Sequence, residues 1–162
     1  MNPTIRFARP ADAELILHFI RGLAEYEHES GAVAAAPALI RSQMEQPEPP
    51  FECLIAEHDG EPAGFALFFR NYSTWCGRPG LHLEDFFVPV RFRGRGVGRA
   101  LFQRMAQLVV ERGWARMEWA VLDWNEPALK VYRELGARAA DDWTIQRVTG
   151  EALVQLAAQA DA

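Results

Sequence analysis

Residues 93–98 read Arg93-Gly94-Arg95-Gly96-Val97-Gly98, between an extended apolar stretch that ends at Val88-Pro89 and a segment of helical periodicity. Glycines let the main chain approach a bound group closely. The first turn of a helix leaves N–H donors unpaired and carries partial positive charge. A strand, a glycine turn and a helix start in succession therefore make a site for phosphate oxygens, and Arg91, Arg93, Arg95 and Arg99 strengthen the positive field around it. Upstream lie two adjacent carboxylates, Glu84 and Asp85; downstream lies Tyr132. Desolvation inside an apolar strand raises a carboxylate pKa and makes it a better proton acceptor, which fits Glu84 as a general base, acting directly or through water; carboxylates simply paired with nearby arginines are the alternative. Strand alternation sends Asp85 to the opposite face. The phenol of Tyr132, with an ordinary pKa of about 10, suits proton donation to a developing anion. Leu129, Tyr132 and Leu135 equally fit one core-facing helix stripe.

Three kinds of phosphate site compete for the glycine turn. A nucleotide-hydrolase loop requires Gly-Lys followed by Ser or Thr, whereas Arg99 and Ala100 follow Gly98. A dinucleotide fold requires G-x-G-x-x-G early in a βαβ unit and an acidic residue about 20 positions on. Here the third glycine is misplaced, and hairpin-like strands precede the turn. The Arg-x-x-Gly-x-Gly turn that holds the pyrophosphate of coenzyme A fits, with a purely structural turn as its alternative.

The elements that must position these residues follow from periodicity. Residues 4–9 alternate as an opening strand, and Leu15, Ile16, Phe19, Ile20 and Leu23 recur at helical spacing after Asp12. A second helix spans about 37–46, with Pro37 in its first turn. Residues 51–57 and 63–71 form a hairpin through Asp59-Gly60. Residues 81–88 read as a strand covered on both faces. A helix over about 98–112 carries Leu101, Phe102, Met105, Leu108 and Val109 on one stripe and ends at Gly113. A strand over 115–122 follows. Asn125 then caps a helix with Pro127 in its first turn and Gly136 beyond its end. Residues 139–148 form a last strand and 151–158 a weak helix. The 162 residues contain no repeat or linker and are read as one α/β domain, its sheet antiparallel first and partly parallel later.

The glycine turn, set between strand and helix, resembles the signature of the GNAT superfamily of acyl-CoA N-acyltransferases. Leu83-Glu84-Asp85-Phe86-Phe87-Val88, Trp124-Asn125-Glu126-Pro127 with Tyr132 and Gly136-Ala137, and Leu23-Ala24-Glu25-Tyr26-Glu27 resemble its spermidine/spermine (diamine) N-acetyltransferase branch. The resemblance covers most of the chain. It implies the GNAT fold, a mixed, mostly antiparallel sheet splayed between its fourth and fifth strands and flanked by helices. It further implies acetyl-CoA as co-substrate without a metal, held by residues 93–99 and Asn125. Main-chain donors near Phe86 to Val88 stabilise the oxyanion, Glu84 is the base and Tyr132 the acid. A homodimer is implied, with the segment after Gly136 crossing over.

For the amine, Glu25, Glu27 and Glu29 cluster beside Tyr26 where the first helix ends. Carboxylates there, together with Glu84 and Asp85, attract a cation, and Tyr26, Trp75 or Trp124 can receive an ammonium on its ring face. A solvated acidic helix end is the alternative. Ser30-Gly31-Ala32-Val33 replaces a further acidic stretch of the eukaryotic branch, which favours a small diamine or lysine-like amine over a long polyamine. Another amine, in an amino acid, an antibiotic or a protein N-terminus, and a non-catalytic CoA-binding module remain open. His82 shares a strand face with Glu84. The four histidines and two cysteines show no metal-ligand spacing. A net charge of −5 argues against nucleic acid. With no secretory pattern at residues 1–10 and no membrane-length apolar run, the cytoplasm is the expected compartment.

Overall fold

The computed structural model describes residues 2–158. Its contacts divide the chain into two compact units, one up to Ala120 and one from Val121.

The first unit is a five-stranded sheet in the order β1-β2-β3-β4-β5, made of β1 (Thr4–Phe7), β2 (Glu52–His58), β3 (Glu61–Ser73), β4 (Arg78–Phe87) and β5 (Met117–Trp119). The first four strands pair antiparallel and β5 joins β4 in parallel. Asp59 and Gly60 both adopt left-handed backbone angles, φ 54° and 80°, as a tight β2–β3 turn demands.

Helices α1 (Ala13–Tyr26) and α2 (Pro37–Met44) cover one face of the sheet. Ala13, Ile16, Leu17 and Phe19 of α1 form a core with Cys53, Ile55 and Phe65, and Leu67 and Phe87 pack against it. Helix α3 (Val97–Glu111) also packs on the sheet and buries Leu101, Phe102, Met105, Leu108 and Val109, the stripe that periodicity predicts, together with Val97. Gly113 ends it at φ 64°.

The second unit holds α4 (Glu126–Glu134) and α5 (Gly150–Ala158). The strand predicted at 139–148 does not form; residues 143–149 have no regular structure, and Ile145 is 71% exposed. A strand needs a neighbouring backbone to engage its N–H and C=O groups, and among the described residues no strand pairs with this one. The strand predicted over 115–122 contracts to three residues, since pairing with β4 stops at Leu83 and Trp119.

Candidate active site

Strand β4 carries the two carboxylates, and its pairing with β3 is irregular there. Leu83 faces Phe68 and Asp85 faces Leu67, so Glu84 is an extra residue with no opposite number. This is a β-bulge, which bends a strand and re-aims its side chains. The alternation predicted for Asp85 therefore fails. Asp85 lies opposite Leu67 on the α1 side, and the Glu84 carboxylate lies 3.5 Å from Nε2 of His82, which stacks on Phe69 of that same side. Both carboxylates share one face.

Their environments are the reverse of the sequence reading. The Glu84 side chain is 57% exposed, so the desolvation expected there is absent. Asp85 is the desolvated group: burial, then the charges of Glu84 and Glu27, push its pKa up to about 6. Burial and then Glu29 raise Glu27 as well. The fold thus gathers Glu27, Glu84 and Asp85, which come from two distant segments. Glu25 is exposed on the last turn of α1. Trp75 is 87% exposed at the tip of the β3–β4 hairpin. Six positions of β3 separate Ser73 from Leu67, the residue opposite Asp85, which is about 20 Å of strand.

The end of α1 has a defined geometry. The amide of Glu29 donates to the Ala24 carbonyl at 2.8 Å and that of His28 to the Glu25 carbonyl at 3.2 Å. These are the two bonds of a Schellman motif, with Glu27 at the C-cap and His28 in the left-handed position, φ 64°, that glycine usually fills. One turn earlier, Gly22 lets α1 approach β4: a Cβ there would sit 2.7 Å from Cε1 of Phe87.

Beyond β4 the chain makes one 3-10 turn (Val90–Phe92) and enters the glycine turn. Gly94 and Gly96 have φ of 74° and 80°, and Gly96 is the N-cap of α3 without any side-chain cap. Residues 93–96 form a turn that leads straight into α3, whose first-turn amides, at 97–99, precede its first helical bond, from the Ala100 amide to the Gly96 carbonyl at 3.0 Å. These donors and the exposed Arg95 and Arg99 suit a diphosphate. A Cβ on Gly98 would meet Cζ of Phe86 at 3.3 Å, so the first turn of α3 rests directly on β4. The Phe86 ring packs at a tilt on Phe102, which in turn meets Trp119 edge to face, at centroid distances of 4.9 and 5.2 Å. Val88 is buried beside Gly64 and Val97. On its other side β4 loses its partner after Leu83, so β4 and β5 part company at the bulge.

Arg93 makes contacts that sequence reasoning did not foresee. Its Nε donates to the Val88 carbonyl at 3.0 Å, and its guanidinium carbon lies 4.8 Å from the centroid of the Tyr26 ring. In the second unit, Asn125 caps α4 by accepting from the Ala128 amide at 3.4 Å, and Tyr132 is half-buried on that helix. Cys53 is buried, which pushes its thiol pKa up and makes it a poor nucleophile; Cys76 is exposed. Among the described residues, no three His, Cys, Asp or Glu side chains are placed to hold a metal ion, and no helix is long and apolar enough to cross a membrane.

A mixed sheet that opens between β4 and β5, with a glycine turn and a helix start at the end of β4, is the arrangement expected of an acyl-CoA-dependent transferase. The chain belongs to the GNAT acetyltransferase family, whose pattern matches residues 18–137. It is an N-acetyltransferase, and the family uses acetyl-CoA as co-substrate. The chain is 38% identical to a thialysine N-ε-acetyltransferase of Sus scrofa, over 94% of this chain and 96% of that protein. It is 29% identical to a human spermidine/spermine N(1)-acetyltransferase-like protein, over 94% of this chain and 23% of that much longer one. Among solved structures, an integron cassette protein from the mobile metagenome of V. cholerae has a TM-score of 0.78 at 22% identity, covering 97% of this chain and 98% of that one. That likeness speaks for the fold.

Proposed function

We propose that this enzyme acetylates the side-chain amine of a lysine-like amino acid, or one amine of a small diamine, by direct attack on acetyl-CoA in a ternary complex. The observation that carries the reading is the convergence of Glu27, Glu84 and Asp85 on one side of the sheet. Three carboxylates attract a protonated amine and hold it by charge. Similarity to thialysine and spermidine/spermine acetyltransferases over nearly the whole chain points to the same class of amine.

Each residue has a task in this reading. Asp85 and Glu27 draw in the ammonium, with Glu25 and Tyr26 at the approach. Glu84, exposed to water at the bulge, takes the proton directly or through a water, and the free amine then attacks the thioester carbonyl. The charge that develops on the carbonyl oxygen is met by main-chain N–H groups from Phe86 to Val88, where β4 has parted from β5. The amides of Gly94, Arg95, Gly96, Val97, Gly98 and Arg99 hold the diphosphate, and Asn125 makes a further cofactor contact. As the adduct collapses the C–S bond breaks, Tyr132 gives a proton to the leaving thiolate and the adduct nitrogen releases one to water, so the neutral amide and the free thiol form together. Trp75 lies at the far end of the hairpin, and its place in amine binding would require a neighbouring chain.

A homodimer fits this reading. Ile145, Val154 and Leu156 of the second unit are 71%, 69% and 56% exposed, an apolar run that a second copy of the chain would cover. We place the enzyme in the cytoplasm. A thiol-release assay with acetyl-CoA and a panel of thialysine, putrescine, spermidine, amino acids and an aminoglycoside tests the function. Turnover of thialysine or putrescine supports it, and turnover confined to the other amines overturns the substrate class. Sedimentation equilibrium of the full chain at micromolar concentration tests the dimer.

A further inference from the structure

Arg93 opens the glycine turn, yet two of its binding surfaces are engaged within the protein. Its Nε edge is on the Val88 carbonyl and its flat face on Tyr26. A guanidinium held at one edge and stacked on a ring has a fixed orientation, unlike a solvated lysine ammonium. Three elements meet at this side chain: the end of β4, the entry to α3 and the last residue of α1. Tyr26 directly precedes Glu27, whose carboxylate is close enough to raise the pKa of Asp85. The Schellman closure at His28 makes this helix end rigid, so the placement of the Tyr26 ring sets the placement of Glu27. The close approach at Gly22 and Phe87 brings that end within reach of Arg93.

We infer that the Arg93–Tyr26 contact couples the cofactor turn to the amine-binding carboxylates, so that each substrate binds more tightly in the presence of the other. Arg93 is on this account a positioning residue: it holds the end of α1 against the turn. The inference rests on the amine site proposed above. Its thermodynamic signature is reciprocal, because a coupling between two sites changes both affinities by the same factor.

Coenzyme A does not react with an amine, so its binding to the full chain can be measured by calorimetry with and without saturating thialysine. In the wild type, thialysine tightens coenzyme A. Tyr26→Leu and Arg93→Lys reduce that enhancement to about onefold and raise the thialysine KM by about five- to tenfold, the scale of one cation–π contact. Tyr26→Phe retains the ring and keeps wild-type coupling. Two results overturn the inference: undiminished coupling in Tyr26→Leu, or an Arg93→Lys variant whose affinity for coenzyme A alone falls as far as its thialysine KM rises, which makes Arg93 a simple phosphate ligand. A wild type that acetylates thialysine without any coupling also overturns it and leaves the proposed function standing. A wild type that acetylates neither thialysine nor putrescine removes both.

Discussion

Glu84 and Asp85 are neighbours on a β-strand, yet their carboxylates share one face of the sheet, because Glu84 is the unpaired residue of a bulge. Two adjacent charges that would otherwise point apart become a pair with different surroundings. The exposed one faces water. The half-buried one carries a pKa raised to about 6.

That difference gives Asp85 a pH signature. Folded Asp85 keeps its proton up to about pH 6, while an unfolded aspartate releases it near about 4, so folding takes up a proton between these values. Its contribution therefore favours the folded state at acid pH and is lost as pH rises through about 6. Asp85→Asn should remove this fall, which thermal unfolding between pH 4 and 8 will reveal as a flatter Tm profile. The amine KM of the wild type should fall as pH rises through about 6, when Asp85 becomes anionic, and this step should vanish in the variant. A KM step that survives in Asp85→Asn assigns it to another group.

Tyr132→Phe tests the acid. Loss of a positioned proton donor lowers kcat by about 100-fold or more, while the affinity for acetyl-CoA should change by less than about twofold. Steady-state kinetics and a direct binding titration separate the two. An unchanged kcat takes Tyr132 out of the mechanism.

The glycine turn has a backbone requirement as well as a binding role. Gly96 has φ 80° and open space where a Cβ would project, so Gly96→Ala carries a conformational cost alone, about 1–2 kcal/mol. Distortion of the N-cap by this amount should weaken acetyl-CoA by about tenfold. Binding of acetyl-CoA that is unaffected by the change would place the diphosphate elsewhere.

His28 holds a left-handed conformation at the end of α1. Glycine adopts it without the Cβ penalty, so His28→Gly should stabilise the fold by about 1 kcal/mol, or about 2–4 °C in Tm. Differential scanning calorimetry measures it directly. A lower Tm would mean that the imidazole holds the loop by contacts worth more than the strain.

Much of this was legible in the sequence because it was local. The stripe on α3, the Asp59-Gly60 turn, the Asn125 cap and the terminating Gly113 each depend on residues within a turn or two. The bulge was not legible, because it is a property of how β3 registers against β4, and no residue at position 84 announces it. Asp85 was accordingly sent to the wrong face and Glu84 was given the burial that Asp85 has. The Arg93–Tyr26 contact joins two motifs that were each read alone. Trp75 was grouped with the acidic cluster by residue type; the length of β3, which runs on to Ser73, carries it away. The strand expected over 139–148 alternates only at Trp143 and Ile145, and such a pattern reports only that a segment could pair; its partner must come from elsewhere.

Strands β1 to β5 sit side by side in the order in which the chain presents them. Each strand added during synthesis therefore finds its neighbour already laid down, and the antiparallel meander from β2 to β4 closes through short hairpins of low entropic cost. Among the described residues the one parallel crossover runs from β4 through α3 to β5, and it comes last. The carboxylates are in place before the diphosphate turn exists. In the reading proposed above, a nascent chain therefore completes its carboxylate cluster before its cofactor turn, and Tyr132 follows both.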